Sequence, residues 1–442
     1  MRQICIKTQT MKKSIPLFLI GLGTLGSMQS MLAQNVTSAN ITSVSADNKA
    51  AAINVKLTGN LTQTANGDFR QLRDLCYQMA KLDLSSASCT NIPKNALHSR
   101  HNLQTLVLPN NVQNIGSQAF FACDALSGTI NMPNTLRTIG ASAFAMCKSL
   151  GSVYFQQSSQ LVNIGSYAFK GCESLKGEIR VPKNVVVLRD GVFEGCSQLT
   201  GIILPDNLQS IGTNTFSRCS SLTGDINMGR MLTRIGASAF ADCTALQSIS
   251  MPRALQYLGD AAFMNCTGLT GTITLPGSIQ YFGKGAFAGC TQLEAAVLPA
   301  ELTKVQAATF AGCTALKNIT LYAEVPPTAD ATAFAGIDCS TVTLNVPEQS
   351  IKAYREAPIW SQFNLAIITA VNDARANAAI EVETDGNRLW VKHLPVGAKV
   401  QLFDAQGKLQ ATVLAQGETS FDLPTPGIYI VNVNGRTFKI KH

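Results

Sequence analysis

The amino-acid sequence predicts a repeat solenoid rich in β-strands, with one parallel sheet and short helical turns, followed by a small C-terminal antiparallel β-sandwich. The first observation is a nine-residue phrase that returns nine times, from IGSQAFFAC at residues 115–123 to VQAATFAGC at residues 305–313. The second is the constant spacing of 23 to 25 residues between successive phenylalanines of the phrase. The third is a change of pattern after residue 380, where short runs of alternating apolar and polar residues are separated by turn residues.

Residues 1–33 have the three parts of a secretory signal peptide. Four basic residues precede an apolar run over residues 15–25, and small residues lead to a cleavage site after Ala33. A membrane anchor is the weaker interpretation, because a span needs about 20 apolar residues. We therefore expect an exported protein, associated with the outer membrane at the cell surface or extracellular, with no transmembrane helix in the mature chain.

The charge balance argues against a nucleic-acid partner. The formal net charge is +8, but four of the positive charges lie before Ser14 in a segment without acids, and removing them reduces the net charge to +4. A charge of this size spread over some 400 residues makes no basic patch.

Each repeat divides into two halves. The first half alternates apolar and polar residues, as in Ile130 and Met132, which predicts a short strand ended by proline. The second half predicts a brief strand and a helical turn, entered through a recurrent glycine that we expect to take a positive φ. Arg189 and Gln306 replace this glycine, and residues 155–161 lack the proline, so we expect bulges there.

The phenylalanine of the phrase and the cysteine three residues after it are predicted to share one buried face. Because nine equivalent thiols cannot pair completely, the pattern favours buried free cysteines over a disulfide framework, even in an exported chain. Cys76 and Cys89 lie outside this column and could pair with each other. The predicted core residues are Phe120, Phe144, Phe169, Phe193, Phe216, Phe240, Phe263, Phe287, Phe310, Cys123, Cys147, Cys172, Cys196, Cys219, Cys243, Cys266, Cys290 and Cys313.

Shorter segments flank the repeats, which span residues 92–346. Residues 34–91 are predicted to cap the first repeat, with a strand at residues 55–61 and a helix that begins at Phe69 and is capped by Asp68. Residues 370–379 lack periodicity and are predicted to be a linker.

The repeated phrase resembles the BspA-like subtype of leucine-rich repeat, whose pattern is I-G-x-x-A-F-x-x-C-x-x-L-x-x-I-x-L-P. The terminal copies depart from it: Leu97 and Arg100 replace the phenylalanine and the cysteine, and Cys339 falls two places late. By the same resemblance, residues 347–369 close the solenoid through Tyr354, Trp360 and Phe363. Similar proteins act as adhesins toward host matrix proteins or neighbouring bacteria, so the resemblance implies that class.

Residues 380–442 predict a separate β-sandwich, with hairpin turns at Asp385-Gly386 and Asn434-Gly435. The end of the chain resembles the C-terminal sorting domain of type IX secretion, which implies a contact between residues 380–442 and the secretion machinery. A generic surface β-domain is the alternative. The residues that carry the resemblance are Pro424, Gly427, Tyr429, Val431, Gly435 and Lys439.

The sequence offers no catalytic constellation. The four histidines lie outside the regular repeats, and His98 and His101 lack a nearby acid or cysteine that would complete a metal site. We therefore expect no enzyme activity, no cofactor and no metal.

The remaining candidate is a surface formed by the outward-facing strand residue of each repeat. Solenoids bind through such extended faces, although the same residue types also satisfy strand propensity. Two functions stay open: an adhesin-like protein that binds host or bacterial surface proteins or glycans, and a self-associating scaffold without a dedicated ligand. The predicted surface residues are Val107, Asn131, Tyr154, Arg180, Ile203, Asn227, Ser250, Thr274, Val297 and Thr320.

Overall fold

The computed structural model describes residues 35–62, 67–368, 381–385, 388–392, 399–414, 419–423, 427–433 and 436–441. The predicted signal peptide, the predicted linker, and Gly386, Pro424, Asn434 and Gly435 lie outside the described residues. The described chain forms two compact units. Unit 1 holds the described residues up to Glu294 together with Leu302–Leu316 and Pro327–Asp338, and unit 2 holds Ala295–Glu301, Lys317–Pro326 and the described residues from Cys339 onward.

The secondary structure consists mostly of short strands. The α-helices are α1 (Ala46–Ala51), α2 (Asp68–Leu75) and α3 (Ile351–Glu356), and Cys339–Thr341, Glu348–Ser350 and Trp360–Gln362 are 3₁₀ turns. The strands are β1 (Asn35–Ser38), β2 (Asn54–Leu57), β3 (Lys81–Asp83), β4 (Asn91–Ile92), β5 (Thr105–Val107), β6 (Asn114–Ile115), β7 (Gly128–Met132), β8 (Thr138–Ile139), β9 (Leu150–Phe155), β10 (Asn163–Ile164), β11 (Gly177–Arg180), β12 (Val187–Leu188), β13 (Leu199–Ile203), β14 (Ser210–Ile211), β15 (Asp225–Ile226), β16 (Arg234–Ile235), β17 (Ser248–Ile249), β18 (Tyr257–Leu258), β19 (Thr272–Thr274), β20 (Tyr281–Phe282), β21 (Ala295–Leu298), β22 (Lys304–Val305), β23 (Asn318–Leu321), β24 (Thr328–Ala329), β25 (Thr343–Val346), β26 (Asn364–Ile367), β27 (Glu381–Asp385), β28 (Arg388–Lys392), β29 (Lys399–Asp404), β30 (Leu409–Leu414), β31 (Thr419–Asp422), β32 (Ile428–Val433) and β33 (Arg436–Lys441).

Unit 1 is a solenoid of parallel strands, which confirms the predicted fold class, and its strands form two ladders where one parallel sheet was predicted. The first ladder, in which most strands are longer than two residues, contains the paired groups β1-β2-β3-β5, β7-β9, β11-β13 and β15-β17. The second ladder, of two-residue strands, contains β4-β6-β8-β10, β12-β14-β16-β18-β20 and β22-β24. Each repeat therefore contributes one strand to each ladder, and we call one repeat a rung.

The recurrent glycine keeps the rungs of the second ladder close together. The prediction of a positive φ was wrong: none of these glycines has one, but an added Cβ would lie only 2.4–2.6 Å from backbone atoms of the preceding rung. Glycine is required here because only a residue without Cβ allows this approach. The affected glycines are Gly116, Gly140, Gly165, Gly212, Gly236, Gly259 and Gly283.

The second ladder is interrupted at the two rungs that lack this glycine. At the first break β10 does not pair with β12, and Arg189, which directly follows β12, stands in the place of the glycine. At the second break β20 does not pair with β22, and Gln306, which directly follows β22, stands in the same place. Side chains at these positions cannot come as close to the rung before, so the expected bulges take the form of breaks between sheets. The Arg189 guanidinium spans the first break, with its Nε donating to Asn163 Oδ1 at 2.9 Å.

The predicted helical turn is a chain of tight turns instead of a helix. Backbone bonds link residues three apart, for example Cys123 N to Phe120 O at 3.3 Å, but residues two before and two after the phenylalanine have φ in the left-handed region. Such residues interrupt right-handed helical geometry. In the first full rung they are Gln118 (φ 56°) and Ala122 (φ 55°).

The phenylalanines form one continuous column in unit 1. Ten rings, from Phe120 to Phe334, stack with centroid distances of 5.0 to 5.8 Å and interplanar angles of 4° to 19°. The cysteines of the phrase are fully buried beside them. All twelve cysteines of the described residues are free, including Cys76 and Cys89.

The segment before the repeats differs from its prediction in one respect. Asp68 does not cap α2: it is the first helical residue, Gly67 holds the cap position, and no side-chain cap bond is made. The buried Asp68 carboxylate instead accepts hydrogen bonds from the backbone N–H groups of Ile41 and Thr62, each at 2.7 Å. Asp68 therefore holds two loops together, because buried N–H groups need acceptors.

Unit 2 contains a parallel group and an antiparallel β-sandwich. Strands β21, β23, β25 and β26 pair in parallel, and α3 places the buried Tyr354, whose hydroxyl donates to the Ala323 carbonyl at 2.7 Å. The sandwich has the sheets β27-β28-β31 and β30-β29-β32-β33, which confirms the predicted C-terminal fold class. Its core contains Leu389 and Val391 from one sheet and Val400, Leu402 and Val431 from the other.

Candidate binding surface

The outer face of the first ladder in unit 1 carries a row of residues aligned by strand pairing. Asn131 pairs with Tyr154, and Arg180 pairs with Ile203. The same row begins earlier than predicted, because Thr37, Lys56, Asp83 and Val107 pair successively across β1, β2, β3 and β5. We call this row, from Thr37 to Thr274, the strand face.

Most of the predicted surface residues are accessible. Val107, Asn131, Tyr154, Arg180, Asn227 and Ser250 are exposed, and Ile203 and Thr274 are half-buried. Tyr154 is the largest side chain of this set, and 54% of its surface is accessible to solvent.

Two predicted surface residues are buried, so the prediction was wrong for them. Val297 and Thr320 are only 4% and 6% exposed. They lie on β21 and β23, which belong to unit 2. The side of the strands that carries these residues is exposed to solvent in unit 1 but buried in unit 2. The repeat pattern cannot reveal this difference, because the pattern is the same in both units.

The strand face includes polar residues that the sequence argument missed. Lys56 Nζ and Asp83 Oδ2 form an ion pair at 3.1 Å. Burial raises the pKa of Asp83, but hydrogen bonds from Ser85 and the Lys56 ammonium outweigh it, so that the pKa lies below its ordinary value. The repeated phrase does not extend to β1, β2 and β3, and only the alternation of NVKL and KLD marks these strands.

A second outward row runs beside the first, two residues earlier on each strand. It contains the exposed Thr105 and Thr129 and the half-buried Ser152, and the Thr129 and Ser152 hydroxyls are 2.6 Å apart. The two rows together give a face that is mostly neutral and rich in hydroxyl groups. A shallow depression of about 320 Å³ lies over its N-terminal part, lined by residues of β1, β2, β3 and β5.

Tyr154 and Arg180 are the distinctive side chains of this face. They lie on β9 and β11, which are successive strands of the first ladder without mutual pairing. Within the described residues, neither side chain has a hydrogen-bonding or ionic partner that would hold it against the protein. An exposed tyrosine and an unpaired arginine are residue types that contribute strongly to protein interfaces.

The predicted histidine pair is not arranged as a metal site. His98 Nδ1 lies 2.8 Å from Ser99 Oγ and its ring stacks on Phe121, whereas His101 Nδ1 contacts Asp124 Oδ1 at 2.9 Å. Among the described residues, no group of three or more His, Cys, Asp or Glu side chains is placed to hold a metal ion. In the same part of the chain, no helix has the length and apolar character needed to cross a membrane.

The sorting-like residues occupy different places in the sandwich. Tyr429 and Val431 are buried in its core on β32, Gly427 is half-buried before this strand, and Lys439 is exposed on β33. Pro424 and Gly435 lie outside the described residues.

The repeats match the model of one known family. The family described as BspA type leucine rich repeat region matches in six copies over residues 41–151, 90–223 and 233–357. Among solved structures, a leucine-rich repeat protein from Bacteroides ovatus is 24% identical over 64% of this chain and 88% of its own, with a TM-score of 0.38. A leucine rich cell surface protein from Faecalibacterium prausnitzii is 24% identical over 64% and 84%, with a TM-score of 0.32. The pneumococcal vaccine antigen PcpA is 18% identical over 71% and 85%, with a TM-score of 0.38. No curated protein matches the chain.

Proposed function

The chain belongs to the BspA type leucine rich repeat family, and from this premise we propose that it is a non-enzymatic, adhesin-like protein that binds macromolecules through the strand face. Proteins of this family are found at the cell surface or are secreted, and their solenoids are typically non-catalytic. The fold is compatible with protein binding. The proposed partners are host matrix proteins or surface macromolecules of other cells.

The observation that carries this proposal is the exposure of Tyr154 on an aligned strand face. Tyr154 is 54% exposed, and the exposed Asn131 lies directly beside it on the paired strand. A tyrosine buries a large area on binding at low conformational cost, because it has few rotatable bonds. Arg180 on the next rung adds a cation that can pair with a partner carboxylate.

The test compares the full mature protein with two variants of the strand face. Tyr154→Ser and Arg180→Gln should reduce binding to immobilised fibronectin, collagen and whole bacterial cells, while the melting temperature stays unchanged. Tyr77→Ser is the matched control, because Tyr77 is also 54% exposed but lies between α2 and β3, outside the strand face. Equal binding by all four proteins would contradict the proposal and favour a scaffold.

The scaffold alternative makes its own measurable claim. A self-associating protein should form larger species as its concentration rises, and the Tyr154→Ser variant should shift that equilibrium without affecting any foreign partner. Sedimentation velocity over a hundredfold concentration range distinguishes the two functions. A monomer that binds matrix protein supports the adhesin-like role.

For the C-terminal region we propose a role in sorting to the cell surface. The described residues from Glu381 to Lys441 have a core of their own, as a domain that is recognised separately from the solenoid would need. Deleting residues 380–442 should then retain the protein in the periplasm, as measured by protease accessibility on intact cells. Undiminished surface exposure of the deletion variant would support a generic β-domain instead.

A further inference from the structure

The second ladder of unit 1 carries a stack of one arginine and two tyrosines on three successive rungs. Arg234, Tyr257 and Tyr281 lie in register on β16, β18 and β20. The Arg234 guanidinium carbon lies 3.8 Å from the centroid of the Tyr257 ring, and the two tyrosine rings stack at 4.8 Å with an angle of 11° between them. This stack is on a different ladder from the strand face and plays no part in the function proposed above.

The stack is held in place before any ligand arrives. The Tyr281 hydroxyl donates to Asp260 Oδ1 at 2.7 Å, and the same oxygen accepts the Lys284 backbone N–H at 2.9 Å. Tyr257 lies between the guanidinium and the second ring. Since these side chains are already ordered, a ligand that contacts them loses little binding free energy to side-chain ordering.

The Arg234 side chain is exposed and retains its hydrogen-bonding capacity. Within the described residues it has a cation–π contact but no ion pair or hydrogen bond. An arginine that stacks on an aromatic ring still presents N–H groups suited to a carboxylate. Lys304, exposed at the equivalent position two rungs after Tyr257, adds a second cation. Two acids lie at the same surface, Asp260 at the Tyr281 end of the stack and Asp330 close to Lys304. The Arg234 end, where the guanidinium has no ion pair among the described residues, is therefore the part that favours an anionic group.

The residues directly before the four strands, of which three are exposed and Thr233 is half-buried, indicate what kind of anion would fit. Thr233, Gln256, Gln280 and Thr303 precede the four strands, and all carry hydroxyl or amide groups. Protein interfaces usually have an apolar core, and these four rungs expose no aliphatic side chain at either position. Earlier rungs of the second ladder expose apolar side chains, because Val162 and Val187 are 53% and 39% exposed. Those rungs would serve a protein partner better.

We propose that Arg234, Tyr257 and Tyr281 form a binding site for an acidic glycan, a saccharide chain that bears carboxylates. The guanidinium binds a carboxylate, the amides of Gln256 and Gln280 bind hydroxyl groups, and the tyrosines provide apolar contact for the sugar C–H groups. Successive rungs of a parallel ladder are about 4.8 Å apart, so a ligand extended along the ladder meets one such position after another.

The test uses a hyaluronan hexasaccharide as the acidic probe and chitohexaose as a neutral saccharide of equal length. Isothermal titration with the full mature protein should detect hyaluronan binding and much weaker chitohexaose binding. Arg234→Gln and Tyr281→Leu should each weaken hyaluronan binding at least about tenfold, as expected for the loss of one strong contact. Lys183→Gln, which removes an exposed cation elsewhere in unit 1, should leave the affinity unchanged.

The possible outcomes separate this proposal from its competitors. No binding by the wild-type protein, equal affinity for the two saccharides, or unchanged affinity in both stack variants would overturn it. Tighter binding of a hexaglutamate peptide than of hyaluronan would assign the site to acidic protein segments instead. Circular dichroism melts of the variants check their folding, and Tyr154→Ser should retain hyaluronan binding whether or not the strand face proves to be an adhesive surface.

Discussion

The thiol of Cys243 donates a hydrogen bond to the carbonyl oxygen of Phe216 in the preceding rung, with 3.1 Å between sulfur and oxygen. The same carbonyl accepts the backbone N–H of Cys219 in its own rung at 3.0 Å. This arrangement recurs along the column, with sulfur–oxygen distances of 3.1 to 3.3 Å from Cys147 to Cys313. Cysteine suits the position because it is a small apolar side chain that can still donate a weak hydrogen bond.

The buried thiols should make stability depend on alkaline pH. Burial raises the pKa of Cys219 and Cys266 to about 12, against an ordinary value of 9.0. The thiols of the unfolded chain therefore ionise first, so the stabilisation is complete below pH 9 and is lost as the pH rises from about 9 to about 12. Guanidinium denaturation under reducing conditions at pH 7 and pH 10 measures this loss. A variant with Cys219, Cys243 and Cys266 all replaced by alanine should lose less stability between these two pH values, and an unchanged difference would assign the pH dependence to other groups.

Phe240→Ala should lower the free energy of unfolding by about 3 to 5 kcal/mol, as expected for the loss of a fully buried ring. Phe240 stacks on Phe216 and Phe263, with both centroid distances at 5.1 Å. Urea denaturation gives the value, and Met231→Ala provides the comparison because Met231 is apolar but 54% exposed. If both variants were as stable as the parent, the phenylalanine column would not hold the rungs together.

Gly236→Ala should destabilise the second ladder by about 1 to 3 kcal/mol, because the added methyl group overpacks a close approach between rungs. Its Cβ would lie 2.6 Å from the backbone of Gly212 and Thr213, next to the hydrogen bond from Gly236 N to Ile211 O. Gly201→Ala is the matched control, since the nearest atoms to its Cβ would be in the Glu178 side chain at 3.3 Å and the nearest backbone atom, Glu178 Cα, would be 3.6 Å away. Thermal melts should separate the two variants, and equal melting temperatures would remove the steric explanation for this glycine.

Ala261→Gly should instead stabilise the protein, by up to about 1 kcal/mol. Ala261 has a φ of 54°, a left-handed conformation that costs a residue with a Cβ about 1 to 2 kcal/mol. Glycine avoids this cost, but its greater conformational freedom in the unfolded chain cancels part of the gain in stability. Glycine already occupies the equivalent position at Gly191 and Gly285. Differential scanning calorimetry should show a higher melting temperature for Ala261→Gly and a lower one for Ala262→Gly, where φ is not positive. A lower value for both would mean that the turn carries no strain.

Some functional features could be predicted from the sequence because they repeat. The alternation of each first half-repeat located most of the strand face, but it missed Thr37, Lys56 and Asp83 at the start of the row and failed at Val297 and Thr320, which are buried in unit 2. The arginine–tyrosine stack could not be found in this way. Arg234, Tyr257 and Tyr281 occupy a position that holds asparagine, threonine, serine or valine in earlier rungs, so no pattern in the sequence connects them.

The sequence by itself determined the solenoid, its rung length and its core, since a period of 23 to 25 residues and an unvaried pair of phenylalanine and cysteine leave few ways to bury apolar surface. It also revealed a glycine that recurs in most rungs and is replaced at Arg189 and Gln306. Only the tertiary structure decided why: the glycine permits close approach to the preceding rung, while the left-handed conformations belong to neighbouring residues such as Gln118 and Ala122. The physical reason is that the contacts along the ladders join residues one repeat apart, and the distance between them depends on how the rungs stack, which no local pattern encodes.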